Sequence, residues 1–138
     1  MTITNYDPRL WGSEEWTFLE IMARSLPNNL TSKQQIYVRQ HLLSLEYLLP
    51  CEVCQGHYSD YVKKTNLKNM DLSKKETVKQ WINNLHNLRL SKPRTMASVD
   101  EYYAKLETKY ITSYTDLTII FLVIFILLII IKRQLIHI

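Results

Sequence analysis

Fifteen consecutive residues near the C-terminus, Leu117 to Ile131 (LTIIFLVIFILLIII), carry no charge and only one polar side chain, Thr118. No other feature restricts the fold of this chain as strongly. A helix in a soluble protein keeps a polar stripe on its outer face, and this run has none. Counted back to Tyr114 it reaches about 18 residues, near the lower limit for a helix that crosses a bilayer. The run therefore predicts a transmembrane helix over 114–131 and a short basic tail over 132–138, leaving 1–112 as a separate domain. A buried core helix is the competing reading. The first 20 residues lack the basic start and apolar centre of a secretory signal. The expectation is thus a single-pass, tail-anchored protein with its domain in the cytosol. Lys132 and Arg133 beyond the anchor pull weakly against that orientation, nearly balanced by Lys105 and Lys109. Asn29-Leu30-Thr31 is a glycosylation sequon, usable only by a lumenal domain.

Charge argues against one class of partner. The chain has 17 Lys and Arg against 13 Asp and Glu, and two of the basic residues lie beyond residue 117. The domain alone is then close to neutral, at +2. A nucleic-acid binder shows a dense basic stripe; Lys63-Lys64 and Lys74-Lys75 read instead as solvated faces. No nucleic-acid partner is expected.

Everything before the anchor reads as helices, and only two Gly and four Pro interrupt them. Ser13 is placed to cap a helix opening with Glu14 and Glu15, where acids suit the dipole. Trp16, Leu19, Ala23 and Leu26 share one face until Pro27-Asn28-Asn29 ends the run. Thr31-x-x-Gln34 matches a capping box. The helix behind it runs to about Leu48, with Ile36, Val38, Leu42, Leu43 and Leu45 inward. Pro50 suits the first turn of a third helix reaching Lys64, with both cysteines in that turn. Ser73-x-x-Glu76 opens a fourth, with Val78, Trp81, Ile82, Leu85 and Leu88 inward. Ser98-x-x-Glu101 opens a short fifth that ends near Tyr110. The predicted fold class is all-α: a four-helix bundle with a short fifth helix, plus the C-terminal transmembrane helix. A domain this small is marginal alone, so a bound cofactor would stabilise it.

The two cysteines of the chain stand together in Leu49-Pro50-Cys51-Glu52-Val53-Cys54-Gln55-Gly56-His57. Three readings compete. A structural disulfide closing so small a loop contributes only about 2 kcal/mol in the chain-entropy model. Zinc could use Cys51, Cys54 and His57, as in a membrane-anchored zinc-binding or structural adaptor. Structural zinc sites take four ligands, however, and His41 and His86 each stand alone. A catalytic dithiol would gain from a helix N-terminus, which favours thiolate, and could open and close by thiol exchange. It would need an electron acceptor, a role that a flavin fills.

Four segments in order resemble the ERV/ALR family of FAD-linked sulfhydryl oxidases. Asp7-Pro8-Arg9-Leu10-Trp11-Gly12-x-x-x-Trp16-Thr17-x-Leu19 is similar to the family's opening helix. Leu49-Pro50-Cys51-x-x-Cys54-x-x-His57 is similar to its redox motif. Trp81-x-x-x-x-His86-Asn87 with Leu90-Ser91-Lys92-Pro93 resembles the segment that wraps FAD, and Val99-Asp100-Glu101-x-Tyr103 a later stretch that packs near the adenine. The match covers about residues 7–110. The chain departs from the pattern at Glu20, where the family often has histidine, and at Tyr103, which replaces a tryptophan. Its wrapping segment is three residues shorter, as in compact poxvirus and iridovirus members. The family's additional cysteine pairs have no counterpart.

The resemblance implies a helical bundle enclosing FAD, usually a homodimer. It implies Cys51 and Cys54 as the catalytic pair, Cys54 beside the flavin and Cys51 toward the substrate. It implies Gly12, Trp16, His57, His86, Asn87, Lys92 and Tyr103 as cofactor-binding residues, with Lys92 a point charge for the pyrophosphate. Read without the family, Trp16 and His86 are core residues, Gly12 permits close helix packing and Lys92 is a loop cation. Electrons would pass from a thiol client through a thioredoxin-like or small dithiol relay protein to Cys51, then through FAD to oxygen, giving hydrogen peroxide. A cytosolic site is unusual for such chemistry. A virus building disulfides on that side of a host or virion membrane would need it.

Overall fold

The computed structural model describes residues 4–136. Its elements are α1 (Gly12–Ser25), α2 (Ser32–Leu48), α3 (Glu52–Lys64), α4 (Lys75–Asn87) and α5 (Met96–Ile136), with short 3-10 turns at Pro8–Leu10 and Leu67–Asn69. Among the described residues no strand forms; Asn29 and Lys74 make an isolated bridge. The chain divides into two compact units, Met1–Arg94 and Thr95–Ile138.

Proline and asparagine set where the helices of the first unit stop. Leu26 and Leu49 each precede a proline and adopt extended backbone (ψ 149° and 129°), because a following proline ring disfavours the helical region. Asn66 ends the third helical segment in the left-handed region (φ 49°, ψ 45°), which asparagine tolerates better than most residues. The capping box at Thr31 forms in full: its hydroxyl accepts from Gln34 N–H, and Gln34 Oε1 accepts from Thr31 N–H at 2.9 Å.

Three other expected starts differ. Ser13 donates to the Glu14 carboxylate at 2.6 Å, and α1 begins at Gly12 without a side-chain cap. Ser73 is held by Asp71 through both its N–H and its hydroxyl, so it cannot serve α4. Thr95, not Ser98, supplies the oxygen at the start of α5, accepting from Ser98 N–H at 3.1 Å.

In the first unit α1 packs on α4 and α2 on α3. Leu19 and Ala23, Val38, Leu42 and Leu45, Tyr58 and Val62, and Val78, Ile82 and Leu85 bring the four helices to one core. Leu67 and Leu72 extend it from the loop between α3 and α4. Arg39 fastens that loop by donating to the carbonyls of Leu67 and Met70. Two expected inward residues lie outside: Ile36 and Leu88 are 53% and 63% exposed. Burial pushes the Tyr61 phenol up to about 12 and that of Tyr58 further still. Their hydroxyls donate to the carbonyls of Trp81 and Leu42.

The second unit is one helix of 41 residues. The fifth helix does not end near Tyr110: no Gly or Pro occurs between Met96 and Ile136, and the backbone continues into the apolar run. Thr115 and Thr118 turn their hydroxyls back onto the carbonyls of Thr112 and Tyr114, which satisfies them within the helix. By length and composition this helix can cross a membrane.

Candidate active site

The turn before α3 holds the redox motif. Cys51 is the N-cap, in extended backbone, and its Sγ accepts from Cys54 N–H at 3.2 Å. Helix α3 therefore begins one residue later than Cys51, and of the two cysteines only Cys54 lies in its first turn. Asn5 Oδ1 takes the free Glu52 N–H at 2.8 Å, and Tyr6 N–H donates to the Pro50 carbonyl at 2.8 Å. From the other side Gln55 donates to the carbonyls of Tyr47 and Leu49. The turn is pinned on both flanks. Cys51 and Cys54 are joined in a disulfide. That bond takes both thiols that the zinc reading requires, and among the described residues no three His, Cys, Asp or Glu side chains gather as metal ligands.

Beside the disulfide, within the first unit, is a cavity of about 640 Å³, in the range of small-molecule and cofactor sites. Each helix of the bundle contributes: Gly12, Trp16 and Leu19 from α1, Leu45 from α2, Cys54, His57 and Tyr58 from α3, Leu85 and His86 from α4. Cys54 is on the wall and Cys51 is not. A Cβ at Gly12 would meet nothing within 4 Å, so close helix packing does not demand this glycine. Trp11 also borders the cavity, and its indole N–H is buried with no partner among the described residues. Such a donor is costly to leave unmatched.

Trp16 and His86 stack face to face, 4.2 Å between centroids and 4° between planes. His86 Nδ1 lies 2.7 Å from Glu20 Oε1. Glu20 is a buried acid, 3% exposed, and Arg94 meets the same oxygen. Asn87 clamps the backbone of Arg94 at two points, donating to its carbonyl and accepting from its N–H, both at 2.9 Å.

The residues singled out from sequence thus separate into groups. Gly12, Trp16, Cys54, His57 and His86 come together around one cavity. Asn87 is engaged with Arg94, and Lys92 is an exposed residue of the loop after α4. Tyr103 belongs to the second unit, its ring edge-on to Tyr102 at 5.1 Å. Trp81, part of the quoted wrapping segment, is a core residue whose indole donates to Thr65. Sequence reasoning missed Trp11 and Arg94 as site residues and took Glu20 as a mere departure. An acid between Leu19 and Ala23, on the inward face of α1, was the available signal for a buried ion pair.

Comparison with known proteins adds to this geometry. The model of the Erv1 / Alr family matches residues 13–108. A protein of Acanthamoeba polyphaga mimivirus, named a probable FAD-linked sulfhydryl oxidase, is 32% identical over 81 residues, covering 59% of this chain and 57% of that protein. A protein of Invertebrate iridescent virus 3 is 30% identical over 93 residues, covering 66% and 63%. One of Invertebrate iridescent virus 6 is 29% identical over 104 residues, covering 70% and 94%. Both iridescent virus proteins also carry FAD-linked sulfhydryl oxidase in their names. The chain thus spans less than two thirds of the length of the first two relatives. The fold is that of Erv1 from Saccharomyces cerevisiae. A crystal structure of a double cysteine-to-serine mutant superposes with a TM-score of 0.61 at 20% identity, covering 73% of this chain and 86% of that one. The yeast Erv1 core gives 0.57 at 23% identity, covering 71% and 83%.

Proposed function

The chain belongs to the Erv1/Alr family, in the company of viral relatives, and from that premise we propose that it is an FAD-dependent thiol oxidase that forms disulfides in a partner protein. One observation carries the reading: a disulfide with one sulfur on the wall of a cofactor-sized cavity and the other off it. The cavity suits a flavin nucleotide. Its walls are mainly aromatic and apolar with Arg9, Glu15, Asp60 and Arg89 among them, the space beside Gly12 is open, and the Trp11 indole N–H offers a donor that a ligand would match. Gly12, Trp16, His57 and His86 would hold the cofactor, with Asn87 acting through Arg94 and with Lys92 as a further contact.

The chemistry of the chain's own residues is thiol–disulfide exchange. A client thiolate attacks Cys51 Sγ; the Cys51–Cys54 bond breaks, a mixed disulfide forms and Cys54 leaves as thiolate. The client's second thiol loses its proton and attacks the mixed disulfide. The client disulfide closes, and Cys51 leaves as thiolate where the amide of Cys54 and the start of α3 stabilise it. The client is oxidised by two electrons and the cysteine pair reduced by two. Bound between Gly12, Trp16, His57 and His86, FAD would supply a two-electron acceptor for the reduced pair and a route for those electrons to oxygen, with hydrogen peroxide as the product. Trp16 and His86 form a stacked part of the cavity wall.

The rest of the proposal is cellular. Residues 1–112 form the oxidase domain, 114–131 the membrane anchor and 132–138 a basic tail. The domain faces the cytosol as a tail-anchored homodimer, and a thioredoxin-like or small dithiol protein relays electrons from the final clients. The full-length chain purified in detergent is expected to be yellow, with about one non-covalent FAD per chain, and to consume oxygen when given a dithiol. A folded, colourless protein that takes up no added FAD overturns the reading. For orientation, Asn29 is expected to stay unglycosylated in cells. A mass shift abolished by Asn29→Gln would put the domain in the lumen.

A further inference from the structure

The contact between Glu20, His86 and Arg94 lies behind the cavity wall, and nothing in the exchange chemistry above uses it. Glu20 comes from α1, His86 from the end of α4 and Arg94 from the loop that follows, so three segments converge on one carboxylate oxygen. A carboxylate oxygen 2.7 Å from a ring nitrogen requires a proton between them, since two lone pairs at that distance repel. Arg94 Nη2 lies close to both atoms. Of the two acceptors the carboxylate, as the charged one, takes the stronger bond from Arg94. The proton between Glu20 and His86 therefore belongs to Nδ1. In the neutral ring that leaves Nε2 unprotonated. Nε2 has no hydrogen-bond partner among the described residues, and His86 lines the cavity. The ring is further held flat against Trp16, so its only freedom, rotation about its own axis, is removed by Glu20.

We propose that Glu20 and Arg94 are positioning residues: they lock His86 in the Nδ1–H tautomer, so that Nε2 presents a hydrogen-bond acceptor to a hydroxyl or amine of the nucleotide bound in the cavity. This rests on the oxidase reading for the identity of the ligand, but not for the state of the ring. Asn87 belongs to the same device, since its two bonds to the Arg94 backbone fix where the guanidinium starts. A histidine at position 20 could not do this work, because it lacks the negative charge that Arg94 and the Nδ1 proton share.

The test uses the full-length chain in detergent with nitrogen-15-labelled histidine, read by long-range nitrogen–proton correlation after the nucleotide has been removed. The wild type is expected to show His86 with Nδ1 protonated and Nε2 free. Glu20→Met should shift His86 to the Nε2–H form or a mixture and weaken FAD binding about tenfold, the loss of one well-made buried hydrogen bond. Glu20→Gln keeps an acceptor for Nδ1–H and should restore affinity to within about threefold. If Glu20→Met does not fold, the double variant Glu20→Met/Arg94→Met also removes the Arg94 charge that faced the carboxylate and should give the same two readings. An unprotonated Nδ1 in the wild type overturns the proposal by itself, as does a Glu20→Met protein with unchanged tautomer or unchanged FAD affinity. If the wild type binds no FAD, the oxidase reading and the nucleotide as ligand both fail, whereas the tautomer readings still decide whether Glu20 sets the ring.

Discussion

Cys54→Ser is expected to abolish turnover while leaving the flavin in place. A serine cannot form or break the disulfide that carries the two electrons, so dithiol-driven peroxide formation should fall to background, a loss of about 10³-fold or more, as when a member of a catalytic unit is removed. Cofactor binding should persist because Cys54 is one of many residues on a wall built by four helices. Cys51→Ser should be equally inactive. The two variants should differ in reactivity: the Cys51 thiolate left in Cys54→Ser sits off the cavity at a helix N-cap, where a bulky disulfide reagent reaches it. The Cys54 thiol left in Cys51→Ser borders the cavity, and bound flavin should slow its reaction severalfold. Peroxide production near the wild-type rate in Cys54→Ser, with FAD still bound, would sink the mechanism.

The largest effect on stability is expected from Leu42→Ala. Leu42 is fully buried at the middle of α2, and its carbonyl receives the Tyr58 hydroxyl. Removing three carbons there should cost about 3 kcal/mol, within the span of roughly 2–5 for buried leucines. That is a large share of the roughly 5–15 kcal/mol that holds a domain folded. Ile36→Ala, on the exposed side of the same helix, should cost less than about 1 kcal/mol. Urea unfolding followed by tryptophan fluorescence measures both. All three tryptophans lie before residue 95, so the signal reports the first unit and not α5. Equal shifts for the two variants would contradict the packing described for α2.

Local features were legible in the sequence wherever one short-range interaction had no rival. The Thr31–Gln34 box formed because no competing acid lies next to it. Ser73 had the same motif grammar and Ser13 was placed as a simple cap, but Asp71 and Glu14 stand two and one residues away and take their hydroxyls first. The apolar faces of α1 and α4 were readable because a period of 3.6 survives any detail of packing. Helix continuity was readable too, in the absence of a breaker after Met96, although the expected stop near Tyr110 is one that the backbone does not make. The candidate site was half legible. Gly12, Trp16, Cys54, His57 and His86 sit in motifs that fold onto one cavity. Glu20 and Arg94 are separated by 74 residues, and no local pattern announces a charge pair closed by tertiary structure. Trp11 was quoted within a motif, and only the missing partner of its indole N–H distinguishes it from a packing residue.

The single bridge between Cys51 and Cys54 has one more consequence, for assembly. Every further pair of cysteines multiplies the connectivities that a chain can adopt, and wrong ones must be undone by reshuffling. With two thiols three residues apart, this chain has one possible internal pairing. It cannot scramble within itself. On the proposed function, a catalyst of disulfide formation built this way can reach its native state without another catalyst of the same kind having acted on it first, and can start the oxidative chain in a compartment that holds no earlier copy.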